Sequence, residues 1–152
     1  MRNRLRPVAL LLALAIATCA PPASFRQVAG RLPPPLPDKA RIYVYRWLEP
    51  YETMDWARVY LNGRETAVAA PGTVLYRDVP PGRYDITADH GDAFPNQSGT
   101  VTVAAGESVY ARIEVLAPWE TSKKGQSDIL TVSLVDPRTA RQEMANLQYI
   151  RS

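Results

Sequence analysis

Beyond residue 40, the apolar residues of this chain recur at every second position, which is the period of a β-strand. At the start of this region, Ile42 and Val44 fall on one face of the predicted strand. Tyr43, Tyr45 and Trp47 fall on the other. Alternation that is rich in β-branched and aromatic residues predicts a mostly β fold. The same pattern predicts strands over residues 41–47, 58–62, 65–69, 73–78, 83–88, 99–103, 107–115 and 129–135.

Turn residues separate these strands. Asn62-Gly63 is the dipeptide favoured where both turn residues need a positive φ, so it predicts a hairpin between the two strands that flank it. Pro81 presets φ and Gly82 accepts a positive φ, which favours a type II turn before the next strand. The segment 104–106, Ala-Ala-Gly, predicts a second hairpin between its own two flanking strands.

The hydrophobic period changes after residue 135. Asp136 is a suitable N-cap, and Pro137 suits the first position of a helix. Ala140, Met144 and Leu147 then recur at helical spacing, which predicts a short C-terminal helix. Short strands separated by turns and followed by one helix are typical of a β-sandwich with a partly covered outer face. We therefore predict a small antiparallel β-sandwich of about seven or eight strands over residues 39–152.

The single cysteine, Cys19, follows a basic and then an apolar segment. Arg2, Arg4 and Arg6 make the start basic, and residues 8–17 are apolar, as in an export signal. An apolar stretch of roughly ten residues is too short for a transmembrane helix, which needs about twenty. The pattern resembles the bacterial lipobox, in which the cysteine becomes the first mature residue and is acylated. An ordinary signal peptide with an incidental cysteine is the alternative.

The lipobox resemblance implies a location. Residues 1–18 would be a cleaved signal, and Cys19 would attach the protein to a membrane of the bacterial envelope. Ala20 stands where an aspartate would argue for retention in the inner membrane, so the resemblance favours the outer membrane, facing the periplasm. Several acyl chains give stable anchoring, since each buried methylene contributes about 0.8 kcal/mol.

A proline-rich segment follows the cysteine. Six of the 14 prolines lie within residues 20–37, which show no apolar periodicity. Such chain favours polyproline II at about 3.1 Å per residue, so it could hold a domain up to roughly 50 Å from a membrane. We predict that residues 19–38 are the lipidated cysteine and its tether.

The charge balance argues against a nucleic-acid partner. The whole chain has 18 lysines and arginines against 15 acidic residues, but three of the arginines precede Cys19. The mature part is therefore formally neutral, which removes the compositional argument for nucleic-acid binding. Lipidation of Cys19 would also leave no thiol for a disulfide, so the fold must rest on packing.

Catalytic and metal-binding patterns are weak. His90 is the only histidine, and it lies between acidic residues in a loop rich in turn formers. Zinc would need further nitrogen or sulfur ligands. Asp89, Asp92 and Asn96 offer oxygen ligands for calcium, but without the spacing of an EF-hand. No glycine-flanked serine nucleophile and no phosphate-binding glycine loop occurs in the sequence. We predict a protein without catalytic activity, cofactor or metal.

The aromatic strip of the first strand, defined as Tyr43, Tyr45 and Trp47, is the feature best suited to binding. Such strips stack on sugars or anchor a protein partner, since Tyr and Trp combine a large apolar area with a polar tip. The same residues could instead form a second core under the C-terminal helix. The sequence leaves both interpretations open, with Tyr51 and Trp56 in the following loop as further aromatic groups.

Several segments together resemble a known family. They are Ile-Tyr-Val-Tyr-Arg at 42–46, the Asn-Gly hairpin, Val-Pro-Pro-Gly-Arg-Tyr at 79–84, and Ala-Gly-Glu-Ser-Val-Tyr at 105–110. This pattern is similar to the domain-of-unknown-function family 2846 of bacterial lipoproteins, and more distantly to PEGA-type and transthyretin-like sandwiches, over about residues 40–147. The resemblance implies an exported or lipid-anchored sandwich and supplies no functional residues.

The predicted function follows from these features. We expect a non-catalytic, lipid-anchored envelope protein that is a structural or protein-interaction module. The alternative is a module that binds glycan or cell-wall polymer through the aromatic strip.

Overall fold

Two β-sheets dominate the part of the chain that the computed structural model describes, which is residues 22–48, 56–89, 98–116 and 129–151. The strands are β1 (Ala40–Arg46), β2 (Ala57–Leu61), β3 (Arg64–Ala69), β4 (Thr73–Val79), β5 (Gly82–Asp89), β6 (Gly99–Val103), β7 (Ser108–Leu116), β8 (Ile129–Val135) and β9 (Gln148–Tyr149). Two short helices, α1 (Phe25–Ala29) and α2 (Pro137–Met144), accompany them.

The larger sheet has the strand order β8-β7-β1-β4-β9, and the smaller has β3-β2-β5-β6. The predicted small β-sandwich with a helix near the C-terminus is confirmed. Two strand pairs depart from the antiparallel prediction, because β1 is parallel to β7 and β4 is parallel to β9. Strand β1 is central in its sheet and is buried along nearly its whole length.

The inner core lies between the two sheets. Ile42 and Val44 of β1 are at most 2 % exposed there, as their place in the alternation predicted. Leu130 and Val132 of β8 are buried, whereas Leu134, at the end of this edge strand, is 44 % exposed. The other buried members come from both sheets and include Val59, Leu75, Ile86, Ala88, Ala111 and Ile113.

One of two predicted turn types is present and the other is not. Asn62 and Gly63 have φ values of 52° and 74°, so the hairpin between β2 and β3 has the backbone that Asn-Gly favours. Gly82 has a φ of 154°, far from the value of about 80° that a type II turn requires. The type II prediction is wrong, because Gly82 already pairs with Val103 as the first residue of β5.

Strands β6 and β7 do not form the predicted hairpin. β6 pairs with β5 in the smaller sheet, whereas β7 pairs with β1 and β8 in the larger one. The turn between them crosses from one sheet to the other. The Gly106 N–H donates to the Lys39 carbonyl at 2.7 Å, and the Arg41 N–H donates to the Glu107 carbonyl at 2.8 Å. These bonds start β7 beside β1 and in the same direction.

A second apolar cluster covers the outer face of the larger sheet. Helix α2 has the predicted cap, since the Asp136 carboxylate accepts the N–H groups of Arg138 and Thr139 at 3.0 Å each. Ala140 and Met144 are fully buried in this cluster. Helix α2 therefore packs Ala140 and Met144 on the sheet as their spacing predicted, whereas Leu147 lies beyond the end of the helix and packs against the same cluster.

Contacts with the domain are made along residues 23–33, which differs from the extended tether predicted over residues 19–38. Phe25 of α1 is 7 % exposed in the outer cluster, and its N–H donates to the Leu147 carbonyl at 2.8 Å. The Tyr149 N–H donates to the Ala23 carbonyl at 3.0 Å. One buried aromatic residue in a helix of five residues is too little to produce a hydrophobic period, so the sequence pattern did not reveal this helix.

Gly99 allows the close approach of β6 to the opposite sheet. A Cβ atom at this position would lie 3.1 Å from the Val132 carbonyl oxygen and 3.2 Å from its Cγ1. We expect Gly99→Ala to lower the free energy of unfolding by about 2 kcal/mol, because overpacking a close contact costs roughly that much. Urea denaturation would measure the loss.

The matched control is Gly30→Ala. Gly30 has an ordinary helical φ of −72°, and nothing lies within 4 Å of an added Cβ. Its replacement should leave the urea midpoint nearly unchanged. Equal midpoints for the two variants would contradict the packing argument.

Candidate functional site

The aromatic strip lies in the outer cluster, under the two helices. Tyr45 is 0 % exposed, and Tyr43 and Trp47 are half-buried. All three contact or belong to the cluster that also holds Phe25 and Met144. Tyr45 therefore belongs to a second core, which was one of the two interpretations of the strip. It has no exposed surface that could contact a ligand.

A hydrogen-bonded network holds the middle of the strip against α2. The Tyr45 hydroxyl donates to Glu143 Oε2 at 2.5 Å, and Arg112 Nη1 donates to Glu143 Oε1 at 2.8 Å. The Arg112 guanidinium also lies 4.7 Å from the centre of the Trp47 ring and 2.7 Å from Glu114. Burial, followed by the Glu143 carboxylate, raises the pKa of Tyr45. Tyr45 and Trp47 are therefore engaged in packing.

Tyr43 has a different environment from the rest of the strip. It is opposite Tyr110 in the parallel pairing of β1 and β7, and the two rings stack at 5.1 Å with an angle of 6°. The Phe25 ring meets Tyr43 edge-on at 5.8 Å. Burial raises the pKa of the Tyr43 hydroxyl. The stacked rings of Tyr43 and Tyr110 form the floor of a gap between α1 and α2, and Phe25 belongs to its α1 side.

This gap is a cavity of about 430 Å³, which lies in the size range of small-molecule sites. Helices α1 and α2 provide its walls and strands β1 and β7 its floor. Tyr43 is thus the one member of the aromatic strip that lines the cavity. The lining residues are Phe25, Arg26, Ala29, Tyr43, Ser108, Tyr110, Arg141 and Ala145.

The cavity is rich in hydrogen-bond donors and positive charge. Arg26 and Arg141 are exposed in the last turns of their helices, and none of the described lining residues has a carboxylate. The Arg141 guanidinium lies 5.9 Å from the centre of the Tyr110 ring. Neither arginine forms an ion pair with any residue in the described ranges. The arrangement can therefore bind an anion.

Other predicted site residues fall elsewhere. Cys19 and His90 lie outside the described residues, as do Asp92 and Asn96 of the calcium hypothesis. Asp89 ends β5, where it accepts a hydrogen bond of 3.3 Å from the Tyr60 hydroxyl. Within the described ranges, no three His, Cys, Asp or Glu residues cluster as metal ligands. Neither α1 nor α2 is long and apolar enough to cross a membrane. The same holds for every helix in the described part of the chain.

Sequence reasoning did not identify the cavity. Arg26 and Arg141 come from opposite ends of the chain and meet only because α1 and α2 cover the same sheet face. In β7, Ala111 belongs to the inner core and Tyr110 to the outer cluster. The place of Tyr110 beside Tyr43 depends on the parallel pairing of β1 with β7, which no local pattern encodes.

Comparison with known proteins places the chain in a family. The family model described as "Protein of unknown function (DUF2846)" matches residues 37–126, which is more than half of the chain. The chain belongs to this family. The match runs from just before β1 to beyond β7, so Tyr43, Ser108 and Tyr110 lie within it. Searches of curated proteins and of solved structures returned no match.

Tyr45 provides a test of the outer cluster. We expect Tyr45→Ala to lower the free energy of unfolding by about 3 kcal/mol, as truncation of a buried aromatic residue does. Tyr45→Phe keeps the ring and loses one hydrogen bond to a carboxylate, so about 1.5 kcal/mol should be lost. Urea denaturation would measure both. Trp56→Ala is the control, since Trp56 is 68 % exposed. A loss for Tyr45→Ala no larger than for Trp56→Ala would contradict this role.

The outer cluster should make the fold sensitive to alkali. Burial, followed by the neighbouring Tyr76, raises the pKa of Tyr149 from 10.0 to about 12. The unfolded state then loses its proton near pH 10 while the folded state retains it, so stability falls as pH rises from about 10 to 12. The melting temperature, followed by circular dichroism, should drop over this range. Tyr149→Phe should reduce the drop, and an unchanged melting temperature in the parent protein would refute the prediction.

Proposed function

We propose that this protein is a non-catalytic, lipid-anchored envelope protein that acts as an interaction module close to a membrane. Cys19 would be the acylated residue, and the outer membrane, facing the periplasm, is the proposed location. The predicted relationship to PEGA-type and transthyretin-like sandwiches stays a prediction. The proposal depends mainly on how α1 packs on the domain.

Docking of α1 shortens the link between Cys19 and the domain. Phe25 is buried in the outer cluster, so only residues 20–24 separate it from the cysteine. The six Cα–Cα steps from Cys19 to Phe25 span at most roughly 22 Å when fully extended. The long spacer predicted from the prolines is therefore replaced by a short one. An anchor at Cys19 would hold the layer formed by α1 and α2 near the lipid headgroups.

The charge of this layer supports the same orientation. Arg26, Arg31, Arg138 and Arg141 are all exposed around the two helices. The acidic residues of α2 and its cap already have partners within the protein. Glu143 accepts hydrogen bonds from Tyr45 and Arg112, and Asp136 caps the helix. Arginine near an anionic membrane surface contributes about 1 kcal/mol per residue.

The lipid anchor can be tested by labelling bacterial cells with an alkyne-bearing fatty acid. We expect the parent protein to incorporate the label and to fractionate with membranes. Cys19→Ser should lose the label and leave the membrane fraction, because the thioether can form only at the cysteine. Ser24→Ala, just before α1, is the control and should be labelled normally. An unlabelled parent protein would overturn the proposal.

The orientation of the domain on the membrane can be tested separately from the lipid anchor. A fluorophore on Arg26→Cys should be quenched by quencher-bearing lipid headgroups in reconstituted vesicles, because α1 would be close to the bilayer. The same fluorophore on Arg58→Cys should be protected, since Arg58 is exposed on the other sheet. Equal quenching at the two sites would contradict a fixed orientation.

Glycan binding is a second candidate function, and one observation favours it. Tyr43 lines an open cavity, although Tyr45 and Trp47 of the same strip are occupied by packing. Any ligand of the strip would therefore bind at the Tyr43 end, between α1 and α2.

A further inference from the structure

Tyr110 lies on the floor of the cavity between α1 and α2, where its hydroxyl is open to a ligand. Tyr110 is 4 % exposed, and its hydroxyl bonds no residue in the described part of the chain. Among the described residues, Arg112 Nε is the only fully enclosed side-chain nitrogen or oxygen without a hydrogen-bond partner, so the Tyr110 hydroxyl reaches the open space of the cavity. Side chains stand roughly perpendicular to a sheet, so this hydroxyl lies on the side of the helices. A ligand in the cavity can therefore accept a hydrogen bond from this hydroxyl.

Three more donor groups surround the same space. The guanidinium groups of Arg26 and Arg141 come from the two walls, and the Ser108 hydroxyl comes from the floor beside Tyr110. Ser108, like Tyr110, makes no side-chain hydrogen bond to a described residue. Since none of the described lining residues has a carboxylate, these residues do not neutralise the donors within the cavity. The ligand must therefore be rich in acceptor oxygens and negatively charged.

We propose that this cavity is a binding site for a small phosphate monoester. A monoester has a charge of about −1.5 to −2 near pH 7 and three terminal oxygens. Two guanidinium groups match that charge, and four donor groups match the oxygens. A carboxylate has one charge and two oxygens, so it would leave donors unmatched. Arginine is also the side chain best suited to bind phosphate in a bidentate way.

The rest of the cavity sets the size of the esterified group. Phe25, Ala29 and Ala145 provide apolar contacts, and about 430 Å³ accommodates a body the size of a monosaccharide or glycerol. A sugar phosphate and a lipid headgroup share this chemistry. The inference deepens the second candidate function and needs no acylation of Cys19, so the two proposals can fail separately.

The test uses a matched pair of ligands on the isotope-labelled protein purified in a zwitterionic detergent. N-acetylglucosamine 1-phosphate and N-acetylglucosamine differ only by the phosphate. In titrations followed by amide chemical shifts, the phosphate ester should shift Tyr110 and Arg141 and bind at least about tenfold more tightly than the neutral sugar. Micelles doped with phosphatidic acid form the second arm, compared with micelles doped with phosphatidylcholine. A stronger response to either phosphate monoester supports the site and identifies the source.

Variants locate the binding. Arg141→Gln should weaken binding of the phosphate ester about tenfold, and Tyr110→Phe should weaken it severalfold with the ring stack retained. Arg58→Gln, on the opposite sheet, should bind like the parent protein. Equal affinity for the two sugars would favour binding of the sugar ring and overturn the proposal. No binding of either phosphate monoester, or full binding by Arg141→Gln, would overturn it as well.

Discussion

Strand β1 is buried on both of its faces, and the outer layer of the protein exists because of this. Ile42 and Val44 belong to the core between the sheets, whereas Tyr43 and Tyr45 belong to the cluster on the other side. A sheet that is apolar on both sides cannot leave one of them to water without losing the free energy of burial. The chain meets this requirement with two short helices from its two ends. Both helices are therefore part of the sandwich.

Arg41 joins the N-terminal segment to this arrangement. Its Nε and Nη2 donate to the two carboxylate oxygens of Asp78 on β4 at 2.6 and 2.8 Å, and its Nη1 donates to the Pro33 carbonyl at 2.6 Å. The guanidinium also lies 3.8 Å from the centre of the Tyr76 ring. The Asp78 carboxylate raises the pKa of Arg41, which keeps its charge. An arginine with all of these partners can be buried without an unpaired charge, and it orders the proline-rich segment.

Structural features that depend on neighbouring residues were predicted from the sequence. Features that depend on residues far apart in the chain were not. Alternation located the strands and their inner faces, and Asp136 with Pro137 located α2, because period and capping are local properties. The partner of a strand is not local, so the crossing between β6 and β7 was mistaken for a hairpin. For the same reason, alternation separated Tyr43 and Tyr45 from the inner core without showing what covers them. The cavity could not be predicted from the sequence, since its walls come together only after both helices have packed on the sheet.

The cavity is built partly from the segment that matches the family model and partly from residues outside that segment. Residues 37–126 include the stacked pair of Tyr43 and Tyr110, whereas Arg26 and Arg141 lie before and after this segment. The floor of the cavity thus belongs to the segment that defines the family, and its charge comes from the flanking helices. Substitutions in α1 and α2 can change the charge of the cavity while the sandwich keeps its inner core. If the cavity binds the proposed ligand, the helices that close the outer face would set its preference.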